Sequence, residues 1–162
     1  MPGTTRLSFA AMASIDSVPA FRARLALYRI DDQTRSLLAQ TWPAIAPHLN
    51  RVIDEVVMAV MELPNIGKAV AQNQDLVKKL EVAHFEALLG GQLDQRYAET
   101  CRQTVQQEAA IGLDARIRST AGSFMLKAAL DALARKHRFS SAKLAERAKI
   151  VAQASASMSL TP

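Results

Sequence analysis

Cysteine is scarce in this chain, and long apolar runs are missing. The single cysteine, Cys101, among 162 residues excludes a disulfide within the chain and favours a reducing compartment. No apolar run approaches the roughly 18–20 residues that a membrane-spanning helix needs. The run Leu7–Ala11 is also shorter than the ~7–15 apolar residues of a signal peptide. We therefore predict a cytoplasmic protein with no membrane partner.

Motifs that carry enzyme chemistry are also missing. The chain has no glycine-rich phosphate loop, no nucleophile elbow and no Ser/His/Asp set at an arguable spacing. Its histidines, His48, His84 and His137, show none of the spacings of a metal site, such as His-x3-His. The sequence therefore predicts neither an enzyme nor a metal site.

Helical periodicity dominates what is present. Apolar residues recur at three- and four-residue steps along nearly the whole chain, and no segment alternates apolar and polar residues as a strand would. The pattern predicts one all-α domain over residues 15–162, preceded by a disordered tail, 1–14. Breaks are expected at Pro43 and Pro47, at the connector Pro64–Gly67 and at Gly90–Gly91.

The net charge of +5 is concentrated near the C-terminus. Residues 127–149 hold seven basic residues against Asp131 and Glu146, seven minus two or +5, while the rest balances at 13 against 13. Such a patch could bind nucleic acid or an acidic partner. Phe139 is its only aromatic residue, and no recognition helix or RNA-binding motif accompanies it. We therefore predict a solvated corner in which a loop joins two helices, and no nucleic-acid partner.

The stretch 97–117 carries the candidate site. It predicts a helix closed by Gly112, which can adopt a left-handed cap, and a second helix capped by Asp114. Residues at three- and four-residue steps share one face of the first helix. They are Tyr97, Cys101, Thr104, Val105 and Glu108. This face is apolar or small except for the carboxylate near its end.

This stretch resembles the proximal helix of the globin-coupled sensors, a family of bacterial signalling globins. In that family an aromatic residue is followed eleven positions later by the haem-ligating His, then by two residues and Ile-Gly-Leu. Here Tyr97 is the aromatic residue and Ile111–Leu113 is the tripeptide; the upstream run from His84 to Asp94 is also similar. The resemblance covers about residues 17–158. It implies a globin-like fold with an extra N-terminal helix, and haem as a possible cofactor.

Two positions depart from the family's haem pocket. The place of the proximal His is Glu108, and that of the distal Tyr is Val57. A carboxylate is a harder donor than imidazole and would hold haem iron weakly. We therefore expect no cofactor, or haem that is only weakly held. Glu108 itself is either a surface carboxylate paired with Arg or Gln, or a buried one with an Arg partner or a raised pKa.

Three more residues are candidates for lining the pocket: His84, Cys101 and Val105. We expect His84 to be a hydrogen-bonded structural histidine, with an axial haem ligand as the alternative. Cys101 is expected to be buried as a small apolar residue, and it lies two helical turns from Glu108, too far to share one metal ion.

The resemblance implies a sensor domain that relays a signal to an output module. Family outputs are chemoreceptor (chemotaxis), diguanylate cyclase and kinase domains, and the family's haem proteins sense oxygen. The alternatives are a haem-less scaffold domain of the stressosome type and a gas sensor with unusual haem ligation.

The family's last two helices, here 115–137 and 141–158, form a dimeric four-helix bundle, so a homodimer is expected. Its seam would use Ala121, Gly122, Phe124, Met125, Ala128, Ala129, Ala132, Leu133, Leu144, Ala148, Val151 and Ser155.

Overall fold

The computed structural model describes residues 18–113 and 115–158. The predicted tail, 1–14, and the predicted cap Asp114 lie outside these residues. The described chain is all-α, as predicted, with no strand. Its helices are α1 (Val18–Leu27), α2 (Asp32–Ile45), α3 (Leu49–Met61), α4 (Gly67–Gln72), α5 (Gln74–Leu89), α6 (Gln95–Ala110), α7 (Ala115–Lys136) and α8 (Ser141–Met158).

Local sequence signals account for several of these boundaries. The Asp31 carboxylate accepts a hydrogen bond from the Thr34 amide at 2.7 Å and caps α2. At the end of α6, Gly112 has φ +81°, and the Leu113 amide donates to the Glu108 carbonyl at 2.9 Å. This confirms the predicted cap. Pro43 does not end α2, contrary to expectation, because the helix continues to Ile45 and a 3₁₀ turn, Ala46–His48, contains Pro47. The short helix α4 was not predicted.

Helix α7 lies at the centre of the packing, against α2, α3 and α8, while α3 also packs on α5. The core is mainly aliphatic and also contains the rings of Phe85 and Tyr97. Its most deeply buried members include Leu38, Ile45, Val52, Ile53, Phe85, Leu88, Leu89, Ile117, Met125, Leu133 and Val151. No helix among the described residues has the length and apolar character needed to cross a membrane.

Half of the residues assigned to the dimer seam belong to the core of a single chain. Ala121, Met125, Ala129, Ala132, Leu133 and Val151 are almost completely buried within it. The same three- and four-residue spacing that suggested an interface between subunits also packs α7 and α8 into this core. The side chains of the two helices that stay at least partly exposed include Phe124, Leu126, Ala128 and Leu130 on α7, and Leu144, Ala148 and Ser155 on α8.

The turn between α5 and α6 is pressed against α2. Gly91 has φ +77°, and a Cβ atom there would lie 2.3 Å from the backbone oxygen of Arg35. Only glycine fits both the left-handed conformation and this close approach. The turn therefore fixes where α6 leaves α5, and with it the position of the polar residues on both helices.

We expect Gly91→Ala and Gly122→Ala to change stability in opposite directions. At Gly91 an alanine meets backbone and a positive φ, so the loss should be at least about 1–3 kcal/mol. Gly122 lies inside α7 with nothing within 4 Å of its would-be Cβ, so alanine should stabilise by about 0.5–1 kcal/mol. Urea unfolding of both variants is the measurement. A tolerated alanine at position 91 would show that the turn does not rest on α2.

Candidate functional site

Polar side chains from three helices meet in the interior between α5, α6 and α7. Helix α5 contributes Glu81 and His84, which are one turn apart, and α7 contributes Arg118. The matching face of α6 carries Tyr97, Cys101, Thr104 and Glu108 at steps of three and four residues. All of these side chains except Cys101, which is partly exposed, are buried.

An ion pair joins α6 to α7 within this group. The Arg118 Nη2 atom donates to Glu108 Oε2 at 2.8 Å, and the two side chains are only 7% and 9% exposed. The surface carboxylate considered for Glu108 is therefore wrong, and the buried carboxylate with an Arg partner is confirmed. Burial of either charge alone would cost several kcal/mol, and the attraction between the two charges offsets that cost.

A second carboxyl group lies beside this ion pair. Glu81 is 1% exposed, and neither of its side-chain oxygens accepts a hydrogen bond from a described residue. Burial raises the pKa of Glu81 to about 7; the positive charge of Arg118 opposes this rise, while the negative charge of Glu108 adds to it. Two carboxyl groups thus lie in the field of one guanidinium. A proton on Glu81 keeps the cluster electrically neutral.

His84 is the neutral member of the cluster. Its Nδ1 atom lies 3.8 Å from the Cys101 Sγ atom, and its ring stacks on Tyr97 with centroids 5.8 Å apart. Burial, together with the charge of Arg118, lowers the pKa of His84 to about 3, so the imidazole is uncharged at physiological pH. Its Nε2 atom is buried and has no hydrogen-bond partner among the described residues. The expectation of a hydrogen-bonded structural histidine therefore holds for Nδ1, which contacts Cys101, and not for Nε2.

A cleft of about 390 Å³ opens beside His84, between α5, the turn after it and α6. Its inner wall includes His84, Tyr97 and Cys101, and two guanidinium groups, Arg35 and Arg96, line it as well. Such a volume lies at the small end of the range for sites that bind small molecules. Burial raises the pKa of the Cys101 thiol, which keeps it protonated and a poor nucleophile.

The two valines predicted for the pocket lie elsewhere. Val57 is 2% exposed and belongs to the hydrophobic core through α3, but it does not line this cleft. Val105 was placed on the pocket face and is instead 37% exposed. It follows Thr104 directly, and one residue turns a helix by about 100°, so the two side chains cannot both face α5. Of the predicted residues, Glu108, His84 and Cys101 are those that the structure brings together.

A family model described as protoglobin matches residues 19–156. The chain belongs to the protoglobin family. This confirms the globin-like fold expected from the sequence and is consistent with the resemblance to sensor globins. No curated protein and no solved structure matches the chain significantly.

The residues present do not fit the haem ligation that the family implies. In this protoglobin the acceptor at position 108 is already bound to a guanidinium, and breaking that ion pair would leave Arg118 as a buried, unpaired cation. The described residues also contain no group of three or more His, Cys, Asp or Glu that could hold a metal ion. The imidazole nitrogen without a partner is on His84, one helix away.

Two members of the site, Glu81 and Arg118, were missed by the sequence reading. Each has a signal that could have revealed it. Glu81 lies in a buried stripe of α5 with Val77, Phe85 and Leu88, and Arg118 follows the buried Ile117. A charged residue on an otherwise apolar stripe needs a partner of opposite charge, and these two lie near the same position on α6.

The cluster should make stability depend on pH through Glu81. Its pKa in the folded protein, about 7, is above its usual value of 4.5, so the folded state holds the proton more tightly than the unfolded chain. Stability from this group is then present at low pH and is lost as pH rises from about 4.5 to about 7. Glu81→Gln keeps a donor and removes the ionisation. Its melting temperature relative to the wild type should therefore increase between about pH 5 and about pH 8.

Glu86→Gln is the control for this experiment, because Glu86 is exposed on the same helix. The contribution of His84, which opposes folding as pH falls, cancels in the comparison at each pH. Parallel melting curves for Glu81→Gln and the wild type across this range would show that Glu81 ionises normally in the folded protein.

Proposed function

We propose that this protoglobin is a bacterial signal-transduction domain of the globin-coupled-sensor type that does not hold haem in the family's usual manner. The observation that carries this is the Glu108–Arg118 ion pair, 2.8 Å long and buried, at the position where the family's His ligates iron. The sensor role itself is supported by the Tyr97 and Ile111–Leu113 pattern. No catalytic role is proposed.

The ion pair disfavours haem through both charge and geometry. The Glu108 carboxylate already neutralises Arg118. If it bound iron instead, the guanidinium would remain buried without a counter-charge, which costs several kcal/mol. Val57 adds only hydrocarbon where the family has a distal Tyr, so no hydroxyl is offered to a bound gas there. The cluster supports a domain whose interior is filled by its own polar side chains.

A second candidate function is a haem-based sensor with unusual ligation. The observation that favours it is the neutral imidazole of His84, whose Nε2 atom lacks a partner. Neutral imidazole is the usual nitrogen ligand of haem iron. This candidate requires α5 and α6 to move apart, because the Nε2 atom is buried.

Haem titration distinguishes these two candidates. Haem is supplied during expression and the unbound haem is removed on purification. We expect the purified protein to show no Soret band of stoichiometrically bound haem, because the carboxylate at position 108 is already paired with Arg118. His84→Leu should then change nothing, and neither should the control His48→Leu in the 3₁₀ turn. A stoichiometric Soret band that His84→Leu removes would overturn the proposal in favour of the second candidate.

We also propose that the domain works as a homodimer through the outer faces of α7 and α8 and passes its signal to an output module. Apolar side chains remain partly exposed there, including Leu126 and Leu130, although half of the residues expected in the seam are buried in the chain's own core. A symmetric dimer that rotates about such an interface is a known way to transmit a signal.

Light scattering tests the dimer. We expect a mass of twice 17.6 kDa at micromolar concentration. Leu130→Arg should shift the protein towards monomer, because it places a charge in the proposed interface. Leu63→Arg is the matched control, since Leu63 is 42% exposed in the connector after α3. A mass of 17.6 kDa that does not change with concentration would contradict the dimer and the relay built on it.

A further inference from the structure

The turn between α7 and α8 concentrates positive charge that no carboxylate of the described residues neutralises. Four cations lie at the end of α7, in the turn and at the start of α8: Arg135, Lys136, Arg138 and Lys143. None of them forms an ion pair with a carboxylate of the described residues. Elsewhere on these helices, Lys127 is paired with Asp131 at 3.2 Å. We call residues 135–143, together with Arg147, the basic corner.

The basic corner is not a flat surface but encloses a recess. A cleft of about 170 Å³ lies between the end of α7, the start of α8 and α2. Lys136, His137, Lys143 and Arg147 line it together with Gln40 and Thr41, and no carboxylate does. Three side chains of fixed positive charge thus converge on one space of side-chain size. Like charges this close repel one another unless an anion joins them.

Arg147 holds its charge at the inner end of this cleft in a fixed position. Its side chain is 17% exposed, and Nη1 donates to the Leu37 carbonyl at 3.0 Å and to Thr41 Oγ1 at 3.3 Å. Nη2 donates to Gln40 Oε1 at 3.3 Å. The Glu146 carboxylate lies 3.6 Å from Arg147 Nε but is half exposed and outside the cleft lining. Because the guanidinium is held by α2, an anion that enters meets a charge already in place.

The N-terminus of α8 adds to the same field. Helix α8 begins at Ser141 and has no acidic residue in its first turn. Its unpaired amides carry partial positive charge, which favours an anion nearby. Lys143 lies in this first turn and adds a full positive charge to the partial charge of the amides.

An exposed aromatic ring lies at the tip of the turn. Phe139 is 89% exposed, the highest exposure of the large apolar side chains described. The Arg138 guanidinium carbon lies 4.6 Å from the ring centroid, which restricts the ring. Phe139 is therefore an apolar group with no role in the core, and it lies beside cations that form no ion pair with the described residues.

We propose that the basic corner is a docking site for an acidic segment of a partner protein. One Asp or Glu carboxylate of that segment enters the cleft between Lys136, Lys143 and Arg147, and a neighbouring apolar side chain covers Phe139. This proposal does not depend on whether the domain binds haem or forms a dimer.

Charge and shape favour a protein segment over other anions. The planar surface of a membrane that met Phe139 at the tip of the turn would not follow the cleft inward to Arg147, which is anchored on α2. Duplex nucleic acid gains nothing from a single exposed ring. A peptide supplies a carboxylate and an apolar group within one short segment, and these match the basic cleft and the exposed ring of the turn.

The test uses a fluorescein-labelled peptide of repeated Glu-Glu-Leu triplets and the intact chain. We expect saturable binding by anisotropy that weakens with salt, and at least about tenfold weaker binding by Lys136→Gln/Lys143→Gln. The control Lys68→Gln/Lys79→Gln removes the same charge at two exposed, unpaired positions on α4 and α5 and should bind like the wild type. Phe139→Ala should also weaken binding, while leaving the salt dependence intact.

Other results would overturn the proposal. An equal loss of peptide affinity in both double variants would mean that binding depends only on the net charge of the protein. The proposal would also be wrong if the peptide with Gln in place of Glu bound equally well, or if the labelled peptide did not bind. Tighter binding to phosphatidylserine vesicles or to a DNA duplex than to the peptide would assign the corner to a different partner.

Discussion

The buried ion pair between Glu108 and Arg118 is the interaction on which the position of α6 depends. Helix α6 is mostly polar, and its buried residues are Tyr97, Thr104 and Glu108. It therefore has little apolar surface with which to pack, unlike α3, whose face from Leu49 to Val60 is buried in the core. A helix attached mainly by polar contacts opens more easily than one attached by hydrocarbon. The ion pair ties it to α7, the helix at the centre of the fold.

The same cluster links the chemistry of the site to the proposed signalling helices. Arg118 lies on α7, and its charge is balanced by one carboxylate, with a second, Glu81, close by on α5. The net charge of the cluster changes when Glu81 gains or loses its proton. Under the proposed role, a change at the α5–α6 interface reaches α7 through this guanidinium without any cofactor. Arg118 thus connects the α5–α6 interface with α7.

Much of the fold could be predicted because local rules determine it. The stripe along α3, the Asp31 cap and the left-handed Gly112 each depend on residues that lie within a few positions of one another. The family pattern around Tyr97 then supplied the arrangement of the helices. Position 108 was recognised as the critical one for the same reason, since it is counted directly from Tyr97.

What sequence could not supply are the partners that the tertiary structure brings together. Glu108 meets Arg118 across the turn at Gly112, and Glu81 reaches both from a third helix. Half of the residues expected in the seam on α7 and α8 are buried in the chain's own core, because a helix packed into its own core and a helix packed on another subunit show the same periodicity. Val105 illustrates the smaller error, since adjacent positions on α6 differ by a quarter turn or more.

A double-mutant cycle with Glu108→Gln and Arg118→Gln tests the central claim most directly. If the pair is buried as described, Arg118→Gln leaves the Glu108 carboxylate without a counter-charge and should lower the free energy of unfolding by about 3–5 kcal/mol at neutral pH. The double variant should recover part of that loss, giving a coupling energy above about 1 kcal/mol. Two small and additive losses, below about 1 kcal/mol each, would instead be typical of a solvent-exposed pair and would contradict the account.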